Sequence, residues 1–221
     1  LRSSPLFDVD PFRREPRRLA VVREVGRPTL VLGSTQPAEL VVQPAVALRG
    51  VDVVRRRSGG GAVFLQPDEQ VWIDTWVPRD DELWQADVAH AAAWVGAWWV
   101  GALVALGLVD LQVHVGRAVP GELGGLVCFA GRGPGEVFHG GRKIMGLSQW
   151  RSREGALFSA CTYRRWDPAP MIELVDVDAT VIGDLASVAV GVGDVITDWA
   201  GLSTLQDALM SSFSDWGPTS S

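Results

Sequence analysis

Asparagine is absent from this 221-residue sequence, lysine and tyrosine occur once each, cysteine twice and histidine three times. Each scarcity excludes something. Two cysteines, Cys128 and Cys161, are too few for a disulfide framework, and no zinc-ligand spacing is present. A reducing cytoplasm is the expected compartment, and no signal peptide is recognisable at the start of the chain. A net charge of −6 argues against a nucleic-acid coat or an anionic membrane surface as the main partner. The ten tryptophans are not interleaved with basic residues, so they read as core and pocket wall rather than as a base-stacking platform. What remains is a globular composition, 47% hydrophobic and 21% charged, in a length suited to one domain with a small appendage.

The shortage of lysine singles out the one that is left. Every basic residue except Lys143 is arginine, the pattern of a genome poor in A/T-rich codons, where drift favours arginine. A position that keeps an ammonium under that pressure is a candidate for chemistry that arginine cannot supply. An ammonium is a compact point charge able to follow a developing negative charge, whereas a guanidinium is a fixed planar fork. The plainer reading is a surface lysine that simply survived. The surroundings favour the first. Glu136-Val137-Phe138 reads as a short strand, His139-Gly140-Gly141-Arg142 as a glycine turn, and Lys143 to Trp150 as the returning strand. Lys143 then stands at the start of a strand, held by a sheet and opening onto a loop.

A second candidate is the stretch Arg55-Arg56-Arg57-Ser58-Gly59-Gly60-Gly61, between the predicted strands Val51–Val54 and Ala62–Leu65. Three consecutive glycines let backbone amides approach a ligand closely, and the neighbouring arginines and serine would complete a cradle for phosphate or carboxylate. It is neither a Walker loop nor a dinucleotide fingerprint, because no Lys-Ser/Thr follows and no helix begins there. The competing reading is a glycine-rich hairpin.

One run tests the membrane question. Ala91 to Val109 carries no charge over nineteen residues, long enough to span a bilayer. It is flanked by acidic residues (Asp80, Asp81, Asp87, Asp110) without a basic cluster. Trp84, Val88, Ala91, Val95, Trp99, Ala102 and Leu106 follow helical spacing, so a long helix packed on a sheet is expected.

Around these segments the chain reads as follows. Residues 1–18 form an irregular arm, broken by Pro5, Pro11 and Pro16, with solvated arginines. Strands over Leu19–Val25 and Thr29–Leu32 are joined by the turn Gly26-Arg27-Pro28. A helix over Ala38–Leu48 is interrupted by Pro44. Gln70–Val77 alternates as a strand, with Asp74 on a face shared with two tryptophans, and Leu111–Val115 and Ala156–Tyr163 are further strands. Ser203-x-x-Gln206 reads as the capping box of a last helix through Phe213, and 214–221 as a flexible tail. No internal repeat is visible. The order predicts an α+β domain over residues 19–213, a mixed, mostly antiparallel sheet packed by helices.

Two separated motifs resemble one family. Arg55-Arg56-Arg57-Ser58-Gly59-Gly60-Gly61-Ala62-Val63 is similar to the Arg-Arg-x-Ser-Gly-Gly-Gly-Ala-Val signature of the lipoate–protein ligases. Gly141-Arg142-Lys143-Ile144-Met145-Gly146-Leu147-Ser148-Gln149 resembles their Gly-x-Lys-Ile-x-Gly-x-x-Gln segment. The likeness covers roughly residues 19–167 and extends to the biotin ligase and octanoyltransferase superfamily. It implies the biotin/lipoate ligase catalytic fold. It also implies an activity that joins lipoate or octanoate to a lysine of a carrier domain through an acyl-AMP, with ATP and Mg2+ as cofactors. The carriers implied are the lipoyl domains of 2-oxoacid dehydrogenases or glycine cleavage proteins. Under the resemblance, Lys143 contacts the acyl-adenylate, Arg56 holds anionic groups, and Ser58, Gly59, Gly60, Gly61, Ala62 and Gly146 line the ligand site. No residue is assigned as a metal ligand.

The chain departs from the ligases in three ways. Leu65 and Gln66 stand where they usually carry a histidine and an aspartate, Asp68–Trp72 lacks their Gly-Asn-Leu-Asn segment, and too little chain follows Tyr163 for a full accessory domain. The alternative route uses Cys128. In cysteine-dependent octanoyltransferases of the same superfamily a Cys-Phe pair precedes the Gly-x-Lys segment, as Cys128-Phe129 does here, and the thiolate carries the acyl group as a thioester. A homologue that binds acyl groups without turnover is a further alternative, and a biotin ligase ranks lower because its Gly-Arg-Gly-Arg-type loop is replaced. Of the histidines only His139 lies near the implied site, as an exposed turn residue; Cys161 reads as core, and Asp74 as a magnesium or substrate contact at most.

Overall fold

The computed structural model of this chain, which mixes strands and helices, describes residues 8–196, 199, 201–213 and 216. In chain order the elements are β1 (Leu19–Val22), β2 (Thr29–Leu32), α1 (Gln43–Arg49), β3 (Asp52–Arg55), β4 (Val63–Leu65) and β5 (Gln70–Pro78). Then come α2 (Val88–Ala91), α3 (Ala93–Ala105), β6 (Leu111–Val113), β7 (Val137–His139), β8 (Arg142–Arg151) and β9 (Gly155–Tyr163). The chain continues through α4 (Ala169–Ile172), α5 (Ile182–Val188) and α6 (Leu202–Ser212).

The strands form two sheets. One has six antiparallel strands in the order β1-β5-β9-β8-β7-β6; the other has three, β3-β2-β4, with β2 parallel to β3 and antiparallel to β4. The turn Gly26-Arg27-Pro28 therefore does not close a hairpin. It carries the chain from one sheet to the other. The physical reason lies in β2, where Leu30, Val31 and Leu32 are all completely buried. A run that is apolar on both faces needs cover on both, which an edge position beside β1 would not give.

Each face of the large sheet has its own core. On one side Ile73, Phe158 and Ala160 pack with Val95, Trp99 and Leu103 of α3 and with Leu205 and Leu209 of α6. On the other, Trp72, Cys161 and Tyr163 pack against the small sheet and against α4 and α5. The run Val88–Ala105 is long and apolar enough by composition to cross a membrane. Here its tryptophans Trp98 and Trp99 are fully buried, and the Trp98 indole donates to the Leu209 carbonyl of α6 at 3.1 Å. The run's outer face stays open, with Val88 and Val104 more than half exposed. The expected single helix is broken at Ala92, and its start is set by Asp87, whose carboxylate accepts from the amides of Ala89 and His90.

Several local expectations change. Pro44 does not interrupt a helix: it occupies the first turn of α1, where its missing N–H costs nothing. Ser203 does not cap α6, because the helix already begins at Leu202 behind Gly201, with no side-chain cap. The arm is not loose over its described part. Val9 and Phe12 are buried against Trp76 and Leu157, Arg13 pairs with Glu154 at 2.8 Å, and Arg18 pairs with Asp81 at 3.0 Å. Residues 1–7 of the arm, and the expected tail over 214–221 apart from Trp216, lie outside the described residues.

Two details of backbone geometry position the site. Gly140 and Gly141, at φ 53° and 79°, form the two-residue turn between β7 and β8, and a turn with two positive φ angles matches the twist of a hairpin. A register shift then opposes Val137 to Met145 but Phe138 to Lys143, a bulge that re-aims the Lys143 side chain. The glycine run is stitched to the Cys128 loop by Ala62, whose amide donates to the Leu126 carbonyl at 2.8 Å and whose carbonyl accepts from the Cys128 amide at 3.0 Å. That stitch leaves no room at Gly61, where a β-carbon would stand 2.5 Å from the Val127 carbonyl carbon; at Gly59 it would meet nothing within 4 Å. Gly61→Ala should therefore lower the unfolding free energy by about 1–3 kcal/mol while Gly59→Ala is nearly neutral. Denaturant titration of both variants checks this, and equal losses would contradict the stitched loop.

Candidate functional site

A cleft of about 330 Å³ opens where the glycine run of the small sheet meets β8 of the large one. Gly59–Gly61 line one part and Leu147–Gln149 another, with Cys128, Glu136 and Lys143 in the same lining. The volume is at the lower end for small-molecule sites.

Lys143 is almost completely buried, at 1% exposure. Its backbone carbonyl accepts from the Val190 amide at 2.9 Å, so β8 is gripped here by the segment after α5 as well as by β7. Its ammonium donates to the Cys128 carbonyl at 2.8 Å and to the Glu136 carboxylate at 2.7 Å. The rings of Phe129 and Phe138 lie 5.7 and 6.0 Å from the nitrogen. Glu136 is equally buried, at 3% side-chain exposure. Its carboxylate also accepts from the Gly133 amide at 2.5 Å and the Leu147 amide at 3.3 Å. Burial raises the Glu136 carboxyl above the ordinary carboxylate range, while the Lys143 ammonium and the two amides pull it back. An ammonium has three N–H donors, so the two bonds it makes leave one for a ligand.

The sequence-derived candidates separate into two groups. Gly59, Gly60, Gly61, Cys128 and Lys143 share the cleft. Arg56, Ser58, Ala62 and Gly146 do not line it. Arg56 lies behind the glycine run, 4% exposed, donating to the carbonyls of Gly59 (2.8 Å) and Gly61 (2.9 Å). Its burial lowers the guanidinium below its usual range, and its Nε and Nη1 make no hydrogen bond among the described residues. Expected to hold anionic groups directly, it instead holds the loop. Ser58 reaches the Ser148 hydroxyl at 2.9 Å, tying the loop to β8. Gly146 packs under the Phe129 ring.

Cys128 is half-buried, and Cys161 is fully enclosed in the second core, where burial pushes its thiol well above the ordinary range. None of the three histidines lines the cleft; His139, expected as an exposed turn residue, is the partly buried last residue of β7, with Nδ1 3.0 Å from the Val109 carbonyl. Asp74 is consumed by structure, accepting from Arg23 (2.8 Å), the Trp72 indole (2.9 Å) and Ser159 (2.6 Å). Leu65 is buried in β4, and Gln66 pairs with Gln70. Among the described residues no three histidine, cysteine, aspartate or glutamate side chains gather as a metal site.

Two residues were missed from sequence. Glu136 read only as a strand residue, although a carboxylate about to be buried across a two-residue turn from the sole lysine is a signal, since a buried charge requires a partner. Gln149 belongs to the quoted motif, but its place in the lining was not foreseen, nor that its buried amide makes no hydrogen bond among the described residues.

Fold and cleft together define an α+β domain with a cleft lined by one buried ammonium. Residues 13–189 match the family model of the lipoyl protein ligase A/B catalytic domain, and the chain belongs to that family. Among solved structures, a lipoate-protein ligase A bound with ATP superposes with a TM-score of 0.73 at 21% identity, over 95% of this chain and 78% of that one. The T. acidophilum protein Ta0514 with bound lipoic acid gives 0.71 at 20%, over 95% and 78%. A bi-partite lipoate protein ligase of Thermoplasma acidophilum, studied with its E2 lipoyl domain, gives 0.72 at 19%, over 95% and 76%. At these identities the likeness establishes the fold, the expected mixed-sheet architecture of the family. No curated protein sequence matches this chain significantly.

The buried pair makes a measurable demand on stability. Glu136→Leu leaves an uncompensated ammonium in the interior and should cost about 3–5 kcal/mol, as should Lys143→Met. The double variant should recover most of that loss. Chemical denaturation of the four proteins tests it, and additive losses would mean that the two charges do not compensate one another.

Proposed function

We propose that this chain transfers a lipoyl or octanoyl group to a lysine of a carrier domain, in the unit spanning residues 19–213, with Cys128 carrying the acyl group as a thioester. The observation that carries this reading is that Cys128 and Lys143 line one cleft, with the Lys143 ammonium donating to the Cys128 carbonyl at 2.8 Å. The Cys128 sulfur attacks the acyl carbon of a thioester donor. A new S–C bond forms, the donor's C–S bond breaks, and the cysteine proton passes to the departing thiolate. The remaining N–H of Lys143 is available to the oxygen on which charge develops. Gly59–Gly61 present unobstructed backbone to the acyl group, and Arg56 keeps that backbone in place. The carriers are lipoyl domains of 2-oxoacid dehydrogenase or glycine cleavage type, in keeping with the E2 lipoyl domain that accompanies one structural relative. Two free thiols suit a reducing cytoplasm.

A second reading, adenylation of free lipoate before transfer, draws support from the likeness to a ligase bound with ATP. Here the glycine run would face the adenylate. The residues present do not fit a protein-held magnesium: Glu136 is committed to Lys143 and Asp74 to its own network, so no step is derived through the ion.

Intact mass after incubation with octanoyl-loaded carrier and no ATP decides between the readings. One octanoyl adduct is expected on the wild type and none on Cys128→Ala. Formation of lipoyl-AMP from lipoate, ATP and magnesium, with transfer undiminished in Cys128→Ala, would overturn the thioester route in favour of the ligase.

A further inference from the structure

Amide formation on a carrier lysine has a proton problem whichever group delivers the acyl chain. The amine arrives as R–NH3+. It forms the N–C bond, the acyl carbon's bond to the Cys128 sulfur breaks, and nitrogen ends as an amide N–H. Two protons leave nitrogen, and the departing thiolate takes one. The other must be removed from a cleft that none of the chain's histidines lines.

Resting on the acyl-transfer reading above, we infer that Glu136 is the proton-accepting partner of Lys143, taking up the surplus proton of the carrier amine through the lysine ammonium. Lys143 hands the proton on its 2.7 Å bond to the Glu136 carboxylate and receives one from the attacking amine, so it ends as the ammonium it began as. Glu136 ends as a carboxylic acid and releases the proton through the cleft that it lines. The path is short, and its members are fixed. The Gly133 and Leu147 amides hold the carboxylate, and the Cys128 carbonyl holds the ammonium. Burial, which disfavours the charged carboxylate, gives Glu136 a higher proton affinity than an exposed glutamate has. Arg132, the other cation lining the cleft, is directed elsewhere, with its guanidinium over the Phe138 ring and bonded to the Gly141 carbonyl. Glu136 acts through Lys143, so it is a positioning and proton-accepting group rather than one that touches the acyl carbon.

An acceptor that has only one proton to lose, which the departing thiolate can take, separates this role from a structural one. Hydroxylamine is an uncharged nucleophile at neutral pH, whereas the carrier lysine is an ammonium. Octanoyl transfer from the loaded donor is measured to each acceptor, above the uncatalysed background, for wild type, Glu136→Gln and Glu136→Asp. The ratio of carrier to hydroxylamine transfer is independent of how much protein is correctly folded. It should fall about 100-fold in Glu136→Gln, the size of a general-base contribution, and recover to within about tenfold of wild type in Glu136→Asp. A ratio unchanged in Glu136→Gln overturns the proton-acceptor role and leaves the acyl-transfer reading standing. A wild-type chain that transfers to neither acceptor overturns both.

Discussion

The structure of the cleft depends on one buried ion pair. Removing an ammonium and a carboxylate from water costs several kcal/mol each, and their attraction compensates only when the remaining donors and acceptors are also satisfied. In this chain the requirement is met by groups from three separate places. Gly133 belongs to the long loop before β7, Leu147 to the middle of β8, and Cys128 to a short turn on the cleft wall. The pair therefore does more than occupy the site. It joins the loop, the hairpin and the cysteine turn into one wall, and a displacement of any of them would leave a charge unpaired.

The opposite wall rests on a different economy of space. Ser58–Gly61 carries no bulky side chain, and its position comes from what lies behind it. Arg56 grips two of its carbonyls from within the protein, Ser58 bonds across to β8, and Ala62 is laced to Leu126 and Cys128. Both Arg56 bonds come from the single nitrogen Nη2, while Nε and Nη1 make none among the described residues. Division of labour between the two kinds of cation follows. Arg56 shapes the loop from behind; Lys143, compact and already paired, presents a single donor to the cleft.

The two sheets give the cleft its location. The small sheet delivers the glycine run, the large sheet delivers β8, and the cleft lies at their junction because Leu30–Leu32 and Trp72, Cys161 and Tyr163 share one core beneath it. On the far side, α3 with its tryptophans and α6 with Leu205 and Leu209 close the other core, which leaves the long central strands β5, β9 and β8 covered on both faces. Such backing is what a wall made of backbone and short side chains requires if it is to keep its shape without a ligand.

Much of this was legible in the chain itself, for reasons that are local. Strand alternation, the Gly140-Gly141 turn, the glycine run and the singular lysine are properties of neighbouring residues, and the family motifs at Arg55–Val63 and Gly141–Gln149 are contiguous. Cys128 was visible because its Cys-Phe pair precedes the Gly-x-Lys segment. What tertiary structure alone decided was which surfaces meet. Nothing adjacent to Thr29–Leu32 says that it leaves the sheet of β1, because burial on both faces is settled by distant partners. Nothing next to Arg56 says that its side chain turns inward behind the loop instead of outward to a ligand. Local spacing likewise put a capping box at Ser203, one residue inside a helix whose start is set elsewhere. Glu136 is the clearest case: its sequence neighbours mark a strand, and its role comes from a carboxylate and an ammonium that only the folded hairpin encloses together, where neither charge can be left without the other.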